Sequence, residues 1–430
     1  MVFSFTLFLP IDVLSAVYEV GPGKEFERIG QVPLDTLEPG DIVKIYYKSE
    51  PYREKFILRR SGTKESPIVI VGISEEGKLP IIDGSRANQF QEEQLSEPGR
   101  WLIKVGDGTP GDYLQIKSLE LRNANNLQAF TIAGDPQRFE DNAAGVFVRF
   151  GRHVLISGCT IHSCGNGVQT SYGPNVTHVT LNACRIYDNG NHLNRLSDQE
   201  HNVYLCGTDS IIQGCRFGDT HADGNNIKDR GLNTIIRYNW IEGGKNRQVD
   251  LVDYKGYDKA DAYVYGNVII QRQDASNDNM IHWGGETGSR SGTLHLFNNT
   301  ILGKPGGSRF LMVRYPDCNV GMKNNVFMGS GTLWNGKGGL SGSNNWFSSG
   351  ISIPSHLFLG FQGQDPGFSM GVTAPYTPRA GSRLINNGIS QVPMEVKYMP
   401  TPVGGGFKRP KDGRMDIGAF EFSVSERELQ

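Results

Sequence analysis

Several features that would define a class of protein are missing from this chain of 430 residues. It has six cysteines and no Cys-x-x-Cys pair, which excludes a disulfide scaffold, a zinc ribbon and a thioredoxin-like motif. No apolar run reaches 18 residues, so we expect no transmembrane segment. The 43 basic residues balance 45 acidic ones, and a general nucleic-acid binder would show a basic excess. We therefore expect neither a nucleic-acid partner nor a membrane-spanning segment.

Proline is scarce and glycine is abundant, at 21 and 55 residues. The glycines follow no Gly-X-Y period, which excludes collagen and indicates many tight turns. With 37% apolar and 20% charged residues, the chain can bury a sizeable core. No stretch between residues 100 and 350 has a convincing helical period, which favours an all-β protein.

The N-terminus has the pattern of a secretory signal. Residues 1–16 (MVFSFTLFLPIDVLSA) form a short apolar stretch that ends in small residues. We therefore predict a signal peptide and a secreted, periplasmic or cell-surface protein. The alternative interpretation is a buried N-terminal strand.

A short pattern recurs through the middle of the chain: Asn or Cys, any residue, then Ile or Phe. Its eight copies lie 20 to 32 residues apart, at residues 159–161, 184–186, 215–217, 239–241, 267–269, 299–301, 325–327 and 345–347. A globular domain has no reason for such a repeat, whereas a solenoid repeats one coil and buries its apolar row against its neighbours.

The segments between these triplets read as strands of three to five residues bounded by Gly, Asn and Asp turns. Two or three such strands per coil predict a right-handed parallel β-helix with coils ~4.8 Å apart. The Asn and Cys positions should then form ladders. We expect Cys159, Cys184 and Cys215 to be buried, unpaired thiols rather than a metal or redox site.

A solenoid needs capped ends. The amphipathic stretch 31–39 predicts a short N-terminal cap helix. We expect the cap and first coils over residues 17–99, the β-helix core over 100–348 and a C-terminal closing segment over 349–430.

Both ends resemble a known family. Residues 20–24 (VGPGK) with 37–41 (LEPGD), and residues 381–388 (GSRLINNG) with 416–421 (DIGAFE), resemble the entry and exit of secreted right-handed β-helix proteins of the pectate-lyase-like superfamily.

Residues 225–230 (NNIKDR), followed by Asn233 and residues 237–239, are similar to the segment that carries the catalytic lysine in alginate- and chondroitin-type lyases. The resemblance implies a polysaccharide lyase with Lys228 in the site. Those lyases also hold Ca²⁺ through acidic ligands one coil earlier, where Glu200 is the candidate in this sequence.

The alternation of each strand predicts which residues face outward. If Val203/Leu205, Ile227/Asp229 and the equivalent pairs of later coils point inward, one outward column contains Tyr204, Lys228, Asp250, His282 and Met312. One flanking column contains Cys206, Arg230, Val252, Gly284 and Arg314. The other contains Asn202, Asn226, Gln248, Met280 and Phe310. Loops carrying His201 and His221 should roof this face.

A straight face of this kind suits a linear acidic polysaccharide. In β-elimination, a base removes the proton α to the uronate carboxylate while cations or a Ca²⁺ ion neutralise that carboxylate. Lys228, Arg230, His282 and Asp250 are the candidate catalytic residues. The candidate substrate-binding residues are Asn226, Tyr204, Gln248, His201, His221, Trp283 and Arg314, with Tyr204 as a possible acid.

Three other interpretations stay open. The column could be a solvated, salt-bridged sheet face worth little to stability. A glycoside hydrolase would need two carboxyl groups about 5–10 Å apart, and among Asp250, Asp253, Asp223, Glu242 and Glu286 no two clearly share the face. A non-catalytic glycan-binding or adhesive protein would stack Trp283 or Tyr204 on sugars. We expect a monomer, and the sequence does not name the sugar.

Overall fold

The computed structural model describes residues 15–91, 96–191, 200–221, 223–253, 259–286, 290–369, 371, 375–411 and 413–422. Within these ranges the regular structure is almost entirely β, and the helical elements are three 3-10 turns, Ile29–Gln31, Leu34–Thr36 and Pro98–Arg100. None of the described helices is long and apolar enough to cross a membrane.

Three long sheets, each built from one strand per coil, form the body of the protein. Sheet I contains Val17–Val20, Ile42–Tyr46, Ile68–Ile73, Leu114–Lys117, Leu155–Ser157, Thr180–Asn182, Ile211–Gln213, Thr234–Arg237, Ala262–Tyr265, Gly292–Phe297, Cys318–Lys323 and Gly339–Ser343. Sheet II contains Glu54–Leu58, Ala87–Gln89, Trp101–Val105, Ala129–Ile132, Asp135–Arg138, Ala144–Val148, Asn166–Thr170, Val203–Leu205, Ile227–Asp229, Val249–Leu251, Asn279–Trp283, Ser308–Val313, Ser330–Gly336 and Gly350–Ser352. Sheet III contains Ile81–Asp83, Glu120–Arg122, Thr160–His162, Arg185–Tyr187, Arg216–Phe217, Trp240–Glu242, Val268–Ile270, Thr300–Leu302, Val326–Met328, Asn345–Ser348 and Gly360–Gly363.

Each coil visits sheet II, then sheet I, then sheet III, and the next coil repeats the order. Neighbouring strands of the stack pair in parallel, the exception in these sheets being the hairpin Ala129–Ile132 with Asp135–Arg138. Two small pairs complete the strands: Gly151–Arg152 with Val176–Thr177, and Tyr398–Pro400 with Gly406–Lys408. The predicted parallel β-helix is confirmed.

The eight apolar anchors of the sequence repeat form one stack in sheet III. Successive anchors occupy the same register position of neighbouring strands and all are fully buried; they are Ile161, Ile186, Phe217, Ile241, Ile269, Ile301, Phe327 and Phe347. Burying the same row in each coil supplies a continuous core.

The residue before each Asn or Cys of the repeat makes the sharp corner between sheets I and III. All eight have a positive φ between 51° and 64°, and they are Gly158, Ala183, Gly214, Tyr238, Gly266, Asn298, Asn324 and Asn344. The left-handed region is costly for residues other than Gly and Asn, so the corner needs support. The Asn ladder supplies it: Asn267 Nδ2 donates to Asn299 Oδ1 at 2.9 Å, and Asn299 Nδ2 to Asn325 Oδ1 at 2.9 Å. Cys159, Cys184 and Cys215 occupy the same corner in earlier coils, buried and without disulfides, as predicted.

The ends differ in part from the sequence-based expectation. The predicted cap helix over 31–39 is wrong, because this region contains only the 3-10 turns Ile29–Gln31 and Leu34–Thr36. The described C-terminal residues run back along the outside of the coils: Val396 packs on Tyr238 and Tyr265, and Phe420 packs on Trp240. A buried ion pair between Arg409 and Glu421, 2.6 Å long, ties this segment together.

Candidate functional site

The predicted outward column exists on sheet II. Tyr204, Lys228, Asp250, His282 and Met312 occupy one register position of five consecutive strands. Their strand neighbours Val203 and Leu205, with the equivalent residues of later coils, are buried in the core. The strand pairing therefore holds the five side chains in a line on the outer face, one coil apart.

Asp250 and His282 form a buried acid–imidazole pair in this column. His282 Nδ1 lies 2.8 Å from Asp250 Oδ1, and Asn225 Nδ2 donates to Asp250 Oδ2 at 3.0 Å. Burial raises the pKa of Asp250, but His282, Arg247 and Lys228 lower it more, and the net pKa is well below the ordinary value. An ionised carboxylate only accepts hydrogen bonds, so His282 Nδ1 carries the hydrogen of this contact. Nε2 of His282 has no partner among the described residues.

Besides Arg247, whose Nη1 lies 3.7 Å from Asp250 Oδ1, two cations from the strand Ile227–Asp229 and the residue after it reach this cluster. Lys228 Nζ is 3.6 Å from Asp250 Oδ2, and it lies 2.9 Å and 3.1 Å from the two carboxylate oxygens of Glu286. The guanidinium of Arg230 also contacts Glu286. Burial raises the pKa of Glu286, yet the two cations lower it more, so its net pKa is below the ordinary value. The site therefore combines an ammonium and a guanidinium with two ionised carboxylates.

Two tyrosines connect to the cations. Arg230 Nε donates to the Tyr204 hydroxyl at 3.0 Å, and that hydroxyl lies 2.7 Å from the hydroxyl of Tyr172. Arg230 Nη1 donates to the backbone oxygen of Asp253 at 2.7 Å, which fixes the guanidinium plane. Tyr204 is thus a phenol at the edge of the cationic cluster.

His201 lies on the other flank and is fully buried. Its Nδ1 accepts a hydrogen bond from the backbone N–H of Asn225 at 3.1 Å, and its ring packs edge-on against Tyr204 with centroids 5.3 Å apart. Burial, together with the charge of Lys228, lowers the pKa of His201 well below its ordinary value. His201 is therefore a neutral imidazole, and its Nε2 has no partner within the described ranges.

The outward placement predicted for Asn226 and Gln248 is wrong. Both are fully buried, and Asn226 Nδ2 donates to Gln248 Oε1 at 2.8 Å while Asn202 Nδ2 donates to Asn226 Oδ1 at 2.7 Å. Each lies one residue before its three-residue strand, at a corner where the alternation of a strand does not apply. These amides form a second internal ladder.

Three other residues predicted to bind substrate either lie away from the cluster or cannot contact a ligand in the groove. Trp283 is fully buried in the core, so sugar stacking on it is wrong. His221 Nε2 pairs with Asp188 at 2.5 Å. Arg314 is exposed, two coils beyond Asp250. In the two loops predicted to roof this face, residues 199 and 222 fall outside the described residues.

The described residues around Glu200 do not fit a calcium site. Glu200 is buried and its Oε1 accepts from Asn191 Nδ2 at 3.2 Å. Across the described part of the chain, no group of three or more His, Cys, Asp or Glu side chains could hold a metal ion. Lys228, Arg230 and Arg247 are cations of this site that can neutralise a carboxylate.

Sequence reasoning missed the role of Glu286 and of Asn225. The sequence offers Glu286 only as a hydrolase carboxyl, and the expectation that no two carboxyl groups share the face is wrong, because Asp250 and Glu286 both reach Lys228. Glu286 comes from a turn after its strand, so no strand register could place it. Asn225 lies inside the quoted segment 225–230, and its position beside Lys228 was the available signal.

The family model for the right-handed β-helix region matches residues 119–269. No curated protein matches the chain.

Solved structures similar to the chain include the three that follow. The pectate lyase Pel9A is 13% identical, covering 95% of this chain and 97% of its own with a TM-score of 0.53. XylC in complex with xylose is 10% identical, covering 83% and 88% with a TM-score of 0.52. The GH136 lacto-N-biosidase from Eubacterium ramulus is 13% identical, covering 81% and 67% with a TM-score of 0.47. Likeness at these identities concerns the fold alone. The chain has a right-handed parallel β-helix fold, like that of the pectate lyase Pel9A.

Proposed function

We propose that the protein is a polysaccharide lyase that cleaves a uronic-acid-containing polysaccharide by β-elimination. The observation that supports it most is the buried Asp250–His282 pair standing beside Lys228 and Arg230 on one face. This arrangement joins a base to a cationic cluster, the two elements that proton removal α to a carboxylate requires.

In the proposed reaction, Lys228 and Arg230 bind the carboxylate of a uronate residue. Charge develops on that carboxylate as the α-proton leaves, so fixed cations stabilise the transition state more than the ground state. His282 Nε2 takes the proton, and Asp250 stabilises the imidazolium that results. The bond from C4 to the glycosidic oxygen breaks as the C4–C5 double bond forms. Tyr204 donates a proton to the leaving oxygen and is reprotonated from solvent.

The pKa values of the two carboxyl groups argue against the hydrolase alternative. A glycoside hydrolase needs one carboxylic acid that stays protonated to assist the leaving group. The pKa values of Asp250 and Glu286 are both lowered, so neither is held in the acid form. A purely glycan-binding face would not need a buried, ionised Asp250, because burying a charge is costly unless it serves a purpose.

We propose an extracytoplasmic setting, because residues 1–16 have the pattern of a signal peptide. We propose that the protein acts there as a monomer.

A screen of uronic-acid polymers tests the function. Pectate, alginate, hyaluronate and chondroitin are incubated with the protein, with and without EDTA, and the ultraviolet absorbance of the unsaturated product is followed. We expect one polymer to give absorbance in both conditions, and the variant His282→Ala to give none. New reducing ends without the unsaturated chromophore would favour a hydrolase instead. Neither signal on any polymer would favour the binding alternative.

A further inference from the structure

Glu286 takes an unusual position in the cationic cluster. It belongs to the turn after Asn279–Trp283, yet its carboxylate reaches back two coils to Lys228 and Arg230. Its backbone N–H donates to the side chain of Asp253, which fixes the start of the turn over the site. The side chain is 36% exposed, whereas Lys228 and Arg230 are 7% and 11% exposed. Glu286 therefore covers the cations from the solvent side, the direction from which a ligand arrives.

Asp250 is not the carboxylate that covers these cations from the solvent side. Its Oδ1 is engaged by His282 and its Oδ2 by Asn225, and Lys228 Nζ is 3.6 Å away. Both oxygens of Glu286 lie closer to Lys228 Nζ, at 2.9 Å and 3.1 Å. The short contacts that the Lys228 ammonium makes on its solvent side are therefore with Glu286.

We propose that Glu286 occupies, in the free protein, the carboxylate subsite formed by Lys228 and Arg230, and that a uronate residue binds by displacing it. The identity of the ligand as a uronate rests on the proposed function. A carboxylate from solvent must satisfy the same ammonium and the same guanidinium, and two carboxylates cannot share them without mutual repulsion. Glu286 then acts as a specificity residue: only a ligand that brings its own negative charge replaces it without leaving the cations unpaired.

Competition of Glu286 for the cations and proton donation by Glu286 predict different effects of removing its charge. If Glu286 only competes for the cations, removing its charge strengthens binding of acidic sugars and leaves the rate of the chemical step intact. If Glu286 donated a proton, the same change would reduce kcat. Measuring KM and kcat separately therefore distinguishes the two roles, because competition changes binding and proton donation changes kcat.

The experiment compares the full-length protein with Glu286→Gln, which keeps the size of the side chain and removes its charge. Isothermal titration measures the binding of the galacturonate trimer and the mannuronate trimer, with maltotriose as the neutral sugar. Glu242→Gln is the matched control, because Glu242 pairs with Arg216 elsewhere on the surface and its side chain is 35% exposed. Thermal melting confirms that each variant is folded, and Glu286→Ala repeats the test with a second side chain.

We expect Glu286→Gln to bind one acidic trimer about tenfold more tightly, the scale of one hydrogen bond between charged groups, with no change for maltotriose. Glu242→Gln should match the wild type. Equal or weaker binding of both acidic trimers by Glu286→Gln overturns the inference, as does a loss of kcat at unchanged KM. Tighter binding without any eliminated product would leave the subsite standing and contradict the lyase. Product formation with unchanged trimer binding would support the lyase and contradict the subsite.

Discussion

His282 Nδ1 lies 2.8 Å from Asp250 Oδ1, and the two residues are directly paired across neighbouring strands of sheet II. The contact is therefore set by the register of the β-helix and not by a flexible loop. Because register is fixed by the buried residues on either side, the orientation of the imidazole follows from the packing of the core.

Replacing Asp250 by Asn should reduce turnover about a hundredfold or more, because the amide no longer stabilises the imidazolium or fixes the tautomer of His282. Initial rates on the polymer found by the screen measure the effect. Asp261→Asn is the matched control, since Asp261 lies 3.7 Å from His295 in a more exposed pair on sheet I. A wild-type rate for Asp250→Asn would show that this pair does not act in the reaction.

Replacing Lys228 by Ala should lower stability as well as activity. Lys228 and Asp250 are both buried, so the substitution leaves a buried carboxylate with fewer counter-charges. Removal of one partner of a buried pair costs about 3–5 kcal/mol, whereas a solvated face would lose under about 1 kcal/mol. Urea unfolding of the variant measures the loss in free energy of unfolding and thereby distinguishes a solvated face from a buried cluster.

Replacing Arg230 by Lys should reduce kcat/KM about tenfold or more. Arg230 contacts Tyr204, the backbone of Asp253 and Glu286 with separate nitrogens, and an ammonium cannot reproduce this fork. The matched control is Arg216→Lys, at an ion pair with Glu242 outside the site. Equal rates for both variants would exclude a role of the guanidinium geometry.

The buried neutral His201 should make stability depend on pH. Its pKa in the folded state is lowered from 6.5, so the unfolded chain takes up a proton first as the pH falls. Stability is therefore fully present above pH about 6.5 and decreases below it, by up to about 1.4 kcal/mol per pH unit from this group. Denaturant unfolding between pH 5 and pH 8 measures the slope. His201→Asn should flatten it, while the variant of the exposed His178, His178→Asn, should keep it; equal slopes in all three proteins would contradict this assignment.

Removing Asn299 from the corner ladder should destabilise the fold. Asn299 donates to Val264 O at 2.8 Å and to Asn325 at 2.9 Å, and it accepts from Asn267. Asn299→Ala leaves these buried groups unsatisfied at a cost of about 1–3 kcal/mol each. Chemical unfolding should show the loss, and Asn319→Ala at an exposed position should change stability by less than about 0.5 kcal/mol. A similarly small effect at Asn299 would show that the ladder does not support the corner.

The sequence by itself determined the repeat and therefore the fold. Each coil must bury the same apolar position against its neighbours, so the spacing of the triplets predicts a stack, and Ile161, Ile186 and Phe217 do pair in register. The same logic placed Lys228, Asp250 and His282 in one outward line, because side chains alternate strictly within a strand.

Only the tertiary structure decided where that alternation ends. The strands Val203–Leu205, Ile227–Asp229 and Val249–Leu251 are three residues long, so the residues just outside them lie at corners. Asn226 therefore turned inward into an amide ladder, although a longer strand would have exposed it. Glu286 reaches the site from a turn 56 residues beyond Arg230 in sequence. A local pattern fixes a side chain only while the backbone stays regular; corner residues and contacts from distant turns depend on how the coils pack in space.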